Sequence, residues 1–178
     1  MPLQTGQLAP DFTATVAGGE KIQLSSLIKD GPVCVIFLRF MGCPLSRLRM
    51  AELEQELGAY SNKNLRLFVV LESRHDRVEH YLTKKNLHIE VLPDLERKLF
   101  DLYDVKPGGV EALLNPAVLT KGTKATLKGH MHGPFEGNEL QLPAAFIIGQ
   151  DGKLTYVNYG LHAADMAPTE QIVAHAQR

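Results

Sequence analysis

Two apolar runs of strand-forming residues limit the folds open to this chain of 178 residues. The runs "PVCVIFLRF" (32–40) and "LRLFVVL" (65–71) hold few polar residues, which is typical of strands buried on both faces of a sheet. Between them, residues 44–60 carry apolar side chains near helical spacing, and Pro44 suits a first helical position. A strand, a helix and a second strand in this order predict a parallel α/β unit with a right-handed crossover.

Three further segments continue the alternation, with a helix at 76–86, a short strand at 88–94 and a helix at 95–104. The opening residues predict a hairpin or edge strands. Residues 106–142 break the pattern, and we expect short helices near 109–119 followed by a long irregular loop. We interpret that region as an insertion in a single domain spanning 1–178.

The C-terminal part predicts an antiparallel hairpin and a last helix. The strands "AAFIIG" and "KLTYVNYG" flank "QDG", in which Asp-Gly is a turn signal. The final segment "APTEQIVAHAQR" predicts a helix capped near Thr169. A hairpin added to parallel strands gives a mixed sheet, so the predicted fold class is α/β with helices on both faces.

Composition excludes several kinds of function. The formal net charge is −1, with 22% charged and 44% hydrophobic residues, which favours neither a nucleic-acid binder nor an anionic-membrane binder. The opening "MPLQTGQLAPDF" lacks the pattern of a signal peptide, and the apolar runs are too short to span a bilayer. Two cysteines exclude a secreted disulfide framework, so we expect a cytoplasmic protein.

The stretch "RFMGCPLSRLRM" (39–50) carries the strongest functional signal. Cys43 follows a predicted strand and precedes Pro44, so it is expected to be the N-cap of a helix, where unpaired N–H groups and the helix dipole favour a thiolate. Arg39 and Arg47 add positive charge, and Arg47 lies one helical turn along, within reach of the sulfur. The alternative is an ordinary small residue at a helix start, with solvated arginines.

Neither of two candidate residues offers a partner for an internal disulfide. Ser46 occupies the third position after Cys43, where a cysteine would be able to form a disulfide with Cys43. The serine is expected either to donate a hydrogen bond to the thiolate or to satisfy a backbone group. Cys34 lies in the middle of the first apolar run, about 20 Å from its end by the rise of an extended chain. A disulfide needs Cα atoms within about 7 Å, so we interpret Cys34 as a buried structural thiol.

Four stretches together resemble the peroxiredoxin-like branch of the alkyl hydroperoxide reductase and thiol-specific antioxidant (AhpC/TSA) family, which has a thioredoxin fold. These are "GQLAPDF", "VIFLRFMGCPLSRLRMAEL", "VLPDLERKLFDLYDV" and "NELQLPAAFIIGQDGKLTYVNYGLHAAD". The resemblance implies that Cys43 is the attacking thiol, with Gly42 and Pro44 beside the substrate. It also implies that Pro143 is a cis-proline facing the thiol, which leaves the Leu142 backbone free to pair with a thiol substrate.

The sequence departs from the family at three positions. Ile36 and Phe40 stand where typical members have a proline and a threonine or serine that help to orient a peroxide, and Ser46 stands where this branch often has a cysteine. Ser46 indicates either a one-thiol member or a cysteine-to-serine variant. We therefore expect an oxidoreductase that reduces peroxides or disulfides through Cys43, with Arg39 and Arg47 stabilising the thiolate.

The expected partners are a peroxide or disulfide and an external thiol such as glutathione or thioredoxin. Neither a cofactor, nor nucleic acid, nor a membrane is expected, and a homodimer is left open. Two alternatives stay open as well. His130 and His132 flank Met131 in a loop, so they offer copper or zinc ligands together with Cys43, or a general base toward it. The second alternative is a thioredoxin-fold binding module without turnover.

Overall fold

The structure, a computed structural model, describes residues 1–176 and contains seven strands and six helices there. The strands are β1 (Thr13–Thr15), β2 (Lys21–Gln23), β3 (Val33–Phe37), β4 (Arg66–Leu71), β5 (Glu90–Pro93), β6 (Ala144–Ile148) and β7 (Leu154–Tyr159). The helices are α1 (Leu24–Leu27), α2 (Pro44–Ser61), α3 (His75–Lys85), α4 (Lys98–Leu102), α5 (Pro116–Leu127) and α6 (Thr169–Ala174), with a 3-10 turn at Val110–Ala112. The predicted order of strands and helices is confirmed.

Five strands form a mixed sheet in the order β5-β4-β3-β6-β7, and β1 pairs with β2 in a separate hairpin. Strands β3, β4 and β5 are parallel, whereas β6 runs antiparallel to both of its neighbours. The first apolar run is buried throughout because alternate residues of β3 fill the cores on opposite faces. Cys34 and Ile36 pack on one side, and Val33, Val35 and Phe37 on the other.

Helices cover both faces of the sheet, as the α/β prediction requires. The core on one face takes residues from α2, α3 and α6, and the core on the other face takes residues from the β1–β2 hairpin, α1 and α4. Of the helices within residues 1–176, none is long and apolar enough to cross a membrane. The antiparallel register sets Phe37 at the end of β3 opposite Ala144 at the start of β6, so the chain entering β6 arrives at the carboxyl end of β3.

One prediction about a helix needs correction, whereas the cap expected near Thr169 lies only one residue before it. Residues 116–127 form a twelve-residue helix, α5, where a loop was expected beyond 119; the Asn115 side chain caps it by accepting a hydrogen bond from Ala117 N at 2.9 Å. Thr169 is the first residue of α6, whose N-cap is Pro168. The predicted continuation of this last helix to residue 178 runs beyond the described residues.

Candidate active site

Cys43 lies at the junction between β3 and α2, at the N-cap that the sequence predicts. Its backbone is extended, with φ −74° and ψ 124°, and Pro44 occupies the first turn of the 18-residue helix. The thiol residue is only 1% exposed. It packs in a small apolar cluster with Phe40, Leu45, Ala163 and Ala164, which isolates the sulfur from bulk water.

One arginine reaches the sulfur. Arg39 Nη1 donates to Cys43 Sγ at 3.2 Å, and the Arg39 side chain is buried. Its Nη2 donates to the Glu139 backbone carbonyl and to Glu139 Oε2 at 3.0 Å. A guanidinium held in this way places a fixed positive charge beside the sulfur.

Arg47 does not lie on the sulfur, contrary to the sequence prediction. Its Nε donates to the Met41 carbonyl at 2.7 Å, and its Nη1 donates to the Met131 carbonyl at 2.8 Å. Its guanidinium lies over the Tyr81 ring, 5.1 Å from the centroid. Helical spacing placed Arg47 one turn from Cys43, but the long side chain instead donates to the carbonyl groups of Met41 and Met131.

Ser46 is fully buried, and its hydroxyl accepts a hydrogen bond from Arg39 N at 3.2 Å. Of the two roles considered, the structure shows the satisfaction of a backbone group, which fixes the loop that carries Arg39. Cys34 is free and buried in the middle of β3, and burial raises the pKa of its thiol far above the usual value. Both observations agree with a structural Cys34.

A segment that we call the cover, residues 131–139, closes over the Cys43 corner. Gly133 N donates to the Gly42 carbonyl at 2.8 Å, next to the contact of Arg47 with Met131. The Glu136 carboxylate accepts from Ser73 Oγ at 2.8 Å and from Arg77 Nη1 at 2.9 Å. Together with Glu139 on Arg39, these contacts hold the cover at both ends and in the middle.

Gly42 permits this close approach. A Cβ atom at Gly42 would lie 2.4 Å from the Pro134 carbonyl oxygen, a distance that backbone atoms cannot accept. Gly137 makes a similar approach, with a hypothetical Cβ 2.7 Å from Phe40 Cβ. The cover therefore reaches Cys43 because the chain has glycines at both points of contact.

The expected cis-proline is absent. No peptide bond within residues 1–176 is cis, so Pro143 follows a trans bond. The Leu142 carbonyl accepts from the Gln141 side-chain amide at 2.9 Å, and the Pro143 carbonyl accepts from Gly160 N at 2.8 Å. The resemblance implied that the Leu142 backbone is free to pair with a thiol substrate. In the structure the carbonyls of Leu142 and Pro143 each already accept a hydrogen bond within the protein.

The loop histidines do not surround the thiol. His132 stacks beside Phe135, with ring centroids 4.6 Å apart, and its Nε2 lies 3.6 Å from Glu139 Oε1. His130 follows the end of α5, and burial together with nearby cations lowers its pKa. Over residues 1–176, no three His, Cys, Asp or Glu side chains gather in a group able to hold a metal ion.

Sequence reasoning did not identify Glu139, Glu136 and Ser73, which organise the site. Glu139 lies 100 positions from Arg39 in the sequence, and Glu136 lies 63 from Ser73. The only available signal was the unusual length of the loop before β6, since long loops of this kind often carry function.

The fold and the buried thiol at a strand-to-helix corner define a peroxiredoxin-like protein with a thioredoxin fold. A peroxiredoxin-like protein from Aquifex aeolicus is similar in structure, with a TM-score of 0.72 and 15% identity, over 99% of this chain and 88% of that chain. A yeast mitochondrial 1-Cys peroxiredoxin has a TM-score of 0.68 and 14% identity, over 96% of this chain and 73% of that chain. These likenesses show the fold.

The sequence comparisons show the family. The AhpC/TSA family profile matches residues 5–157. The prostamide/prostaglandin F synthase of Salmo salar is 28% identical over 162 residues, covering 86% of this chain and 78% of that protein. The chain belongs to the AhpC/TSA family, and it is a peroxiredoxin-like or thiol–disulfide oxidoreductase.

Proposed function

We propose that the protein reduces peroxides through a single reactive thiol, Cys43, and that an external thiol completes each cycle. The observation that carries this proposal is the 3.2 Å contact between Arg39 Nη1 and Cys43 Sγ at the start of α2. A cationic donor contacts this sulfur, and Cys43 is the N-cap residue of α2; a fixed cation and a helix N-terminus are both features that favour an anionic sulfur.

The first step consumes the peroxide. The Cys43 thiolate attacks the terminal oxygen, the O–O bond breaks, and the alkoxide leaves as an alcohol after it takes up a proton. The sulfur is oxidised to sulfenic acid, and the peroxide is reduced. Arg39 keeps its guanidinium beside the reacting atoms, where a fixed positive charge stabilises the negative charge that moves from the sulfur to the leaving oxygen.

An external thiol then restores Cys43. A thiolate such as that of glutathione attacks the sulfenic sulfur, water leaves, and a mixed disulfide forms. A second thiol attacks the mixed disulfide, which releases the oxidised thiol and regenerates the Cys43 thiolate. Ser46 occupies the position of a resolving cysteine, and Cys34 is buried within β3, so an external resolving thiol is the simplest complete cycle. The yeast mitochondrial 1-Cys peroxiredoxin, whose thiol is resolved via glutathione/thioredoxin systems, fits the same scheme.

Two observations favour peroxides over protein disulfides as the oxidant. Cys43 is 1% exposed and lies beneath the cover, which leaves no room for a protein disulfide at the sulfur in this state. The Leu142 carbonyl, which would pair with an extended protein substrate, already accepts the Gln141 amide. A small peroxide needs neither a broad opening nor a backbone edge.

Intact-mass measurement after one equivalent of peroxide tests the proposal. The protein should gain about 16 Da at Cys43, and added glutathione should convert this product to a glutathione adduct. Cys43→Ser should show neither change, whereas Cys34→Ala, a matched control at the other cysteine, should behave as wild type. A Cys43 that remains unmodified while the protein is folded would refute the redox assignment.

A further inference from the structure

A cleft of about 480 Å³ lies beside Gly42, and it shares no lining residue with the apolar cluster around the sulfur. One wall is the first part of α3, and the other is the cover at Pro134 and Glu136. Arg47 lies between these walls. The chemistry proposed for Cys43 makes no use of this cleft, although it reaches the residue next to the thiol.

Arg47 contributes an uncompensated positive charge to the cleft. It donates only to the Met41 and Met131 carbonyls and stacks on the Tyr81 ring, and no carboxylate of residues 1–176 comes within 4.0 Å of it. Its Nη2 donates to no group in the described part of the chain. Space around Nη2 exists because Gly133 has no side chain: a Cβ there would lie 2.6 Å from this nitrogen.

The acidic side chains that line the cleft are already paired. Asp76 accepts from Arg74 at 2.8 Å, and Glu136 accepts from Arg77 at 2.9 Å and from Ser73 at 2.8 Å. Neither carboxylate therefore compensates the free guanidinium. The carboxylates that line the cleft are thus neutralised by other arginines, whereas Arg47 keeps N–H groups that have no acceptor among the described residues.

Arg47 is one of several cations that act on His130, a residue just beyond the end of α5. The pKa of His130 is lowered by burial first, and then by the charges of Lys85, Arg47 and Lys128. Only Glu52 acts in the opposite direction on His130. The charges that act on His130 are therefore mostly positive, and one of them is Arg47 itself.

We propose that the cleft binds a carboxylate-bearing small molecule that takes part in the Cys43 cycle, with the Arg47 guanidinium as its anchor. The proposal rests on the function proposed above and names the class of ligand. Guanidinium donors suit carboxylate oxygens, and the free Nη2 offers its two N–H groups to them.

The distances suit a ligand that also reaches the sulfur. Arg47 lies one turn beyond Cys43, about 6 Å along α2. A tripeptide-sized molecule spans about 10 Å when extended. The cover lines the cleft at Pro134 and approaches Gly42, the neighbour of Cys43, so displacement of the cover would open a path from the cleft toward the sulfur. A carboxylate-bearing ligand of this size comes from one of two sources: the resolving thiol, such as glutathione, or the peroxide, such as a fatty acid hydroperoxide.

Calorimetric titration with unreactive analogues tests the proposal without any turnover. S-methylglutathione represents the thiol, and a hydroxy fatty acid represents the reduced hydroperoxide. At least one should bind to the wild-type protein, and Arg47→Gln should weaken that binding about tenfold or more, as expected for a hydrogen bond to a charged group. The analogue that binds identifies the source. Lys153→Gln is the matched control, because it removes one exposed positive charge at the β6–β7 turn, at the far end of the sheet.

A second variant guards against loss of folding in Arg47→Gln. His80 lines the cleft, is exposed and makes no hydrogen bond or ion pair with the cover, so His80→Glu should fold and weaken carboxylate binding by introducing a negative charge. The proposal is overturned if neither analogue binds at millimolar concentration, or if binding survives both substitutions unchanged. Since the analogues do not react with Cys43, a failed peroxide assay would refute the proposed function and leave this result standing.

Discussion

Arg39→Gln should slow the reaction of Cys43 with peroxide without unfolding the protein. The substitution removes the positive charge whose Nη1 lies 3.2 Å from the sulfur, and it retains a side chain that donates hydrogen bonds. Among residues 1–176, Arg39 is the only arginine that contacts the Cys43 sulfur. Its loss therefore tests the electrostatic part of the proposed mechanism directly.

The size of the effect follows from that distance. Two unit charges 3.2 Å apart interact by about 5 kcal/mol at an effective dielectric constant of about 20, which sets an upper bound. Hydrogen bonds to charged groups contribute about 1.5–3 kcal/mol, because water and the remaining amide replace part of the interaction. At about 1.4 kcal/mol per factor of ten, the rate constant should fall roughly 10- to 150-fold.

Quenched-flow mixing with peroxide, followed by intact mass, gives the rate constant for oxidation of Cys43. Arg39→Lys, which keeps the charge but not the planar fork, should fall between wild type and Arg39→Gln. Arg66→Gln is the matched control, since Arg66 pairs with Glu90 at the other end of the sheet. It should react at the wild-type rate.

Arg39 also binds Glu139, so its substitution loosens the cover and improves access to the sulfur. Amide hydrogen exchange over residues 131–139 measures this second effect independently. Should Arg39→Gln oxidise within twofold of wild type while exchange in the cover is unchanged, the Arg39 charge has no role in activating the thiol.

Three other substitutions test neighbouring parts of the argument. Ser46→Cys creates a C-x-x-C motif with Cα atoms at helical i, i+3 spacing, so peroxide should produce an internal disulfide, seen as a loss of about 2 Da, and no glutathione adduct with Cys43. Gly42→Ala forces its Cβ against the Pro134 carbonyl, so the cover should exchange amide hydrogens faster and Cys43 should alkylate faster. Glu54→Gln should lower the unfolding free energy by about 1 kcal/mol at pH 7, measured in urea, because it weakens the acceptor for two backbone N–H groups.

Two of these substitutions have a further check. Gly58→Ala is the matched control for Gly42→Ala, because open space surrounds Gly58 within α2 and the change should not affect the cover. For Glu54, burial raises the pKa, but hydrogen bonds from His88 and Ile89 outweigh it, so the folded pKa is lowered. Its contribution is therefore present above the unfolded pKa near 4.5 and is lost as the pH falls through the folded value. The difference between wild type and Glu54→Gln should shrink below pH 4.5; a constant difference would contradict this origin.

The parts of the site that are close in sequence were predictable, and the parts that are distant were not. The position of Cys43 follows from an apolar run, a glycine and a proline, which local conformational preferences determine. Arg39 was recognised because it is four residues away. Glu139 approaches only through the antiparallel register of β6 on β3, and no local pattern encodes that pairing.

The errors have similar causes. Helix α5 contains exposed leucines, Leu119 and Leu127, and several threonines and a glycine, so its sequence lacks the clean apolar stripe from which helices are recognised. The cis-proline expectation came from the resemblance alone. In this chain the Gln141 side chain and Gly160 satisfy the carbonyls around Pro143, and an extended trans chain enters β6 directly.

Arg39 links the chemical state of the sulfur to the closure of the cover, because one guanidinium binds both Cys43 Sγ and Glu139. When peroxide converts the thiolate to a neutral sulfenic acid, Arg39 loses the negative charge that holds Nη1 in place. The buried guanidinium then loses part of its attraction to the sulfur and should become less ordered. Its two hydrogen bonds to Glu139 should weaken as a result. We therefore expect faster amide exchange in residues 131–139 after oxidation, measured at one equivalent of peroxide against Cys43→Ser under the same conditions. Opening at that moment would expose the sulfenic acid to the external thiol of the proposed cycle, whereas equal exchange before and after oxidation would show that the cover opens independently of the sulfur.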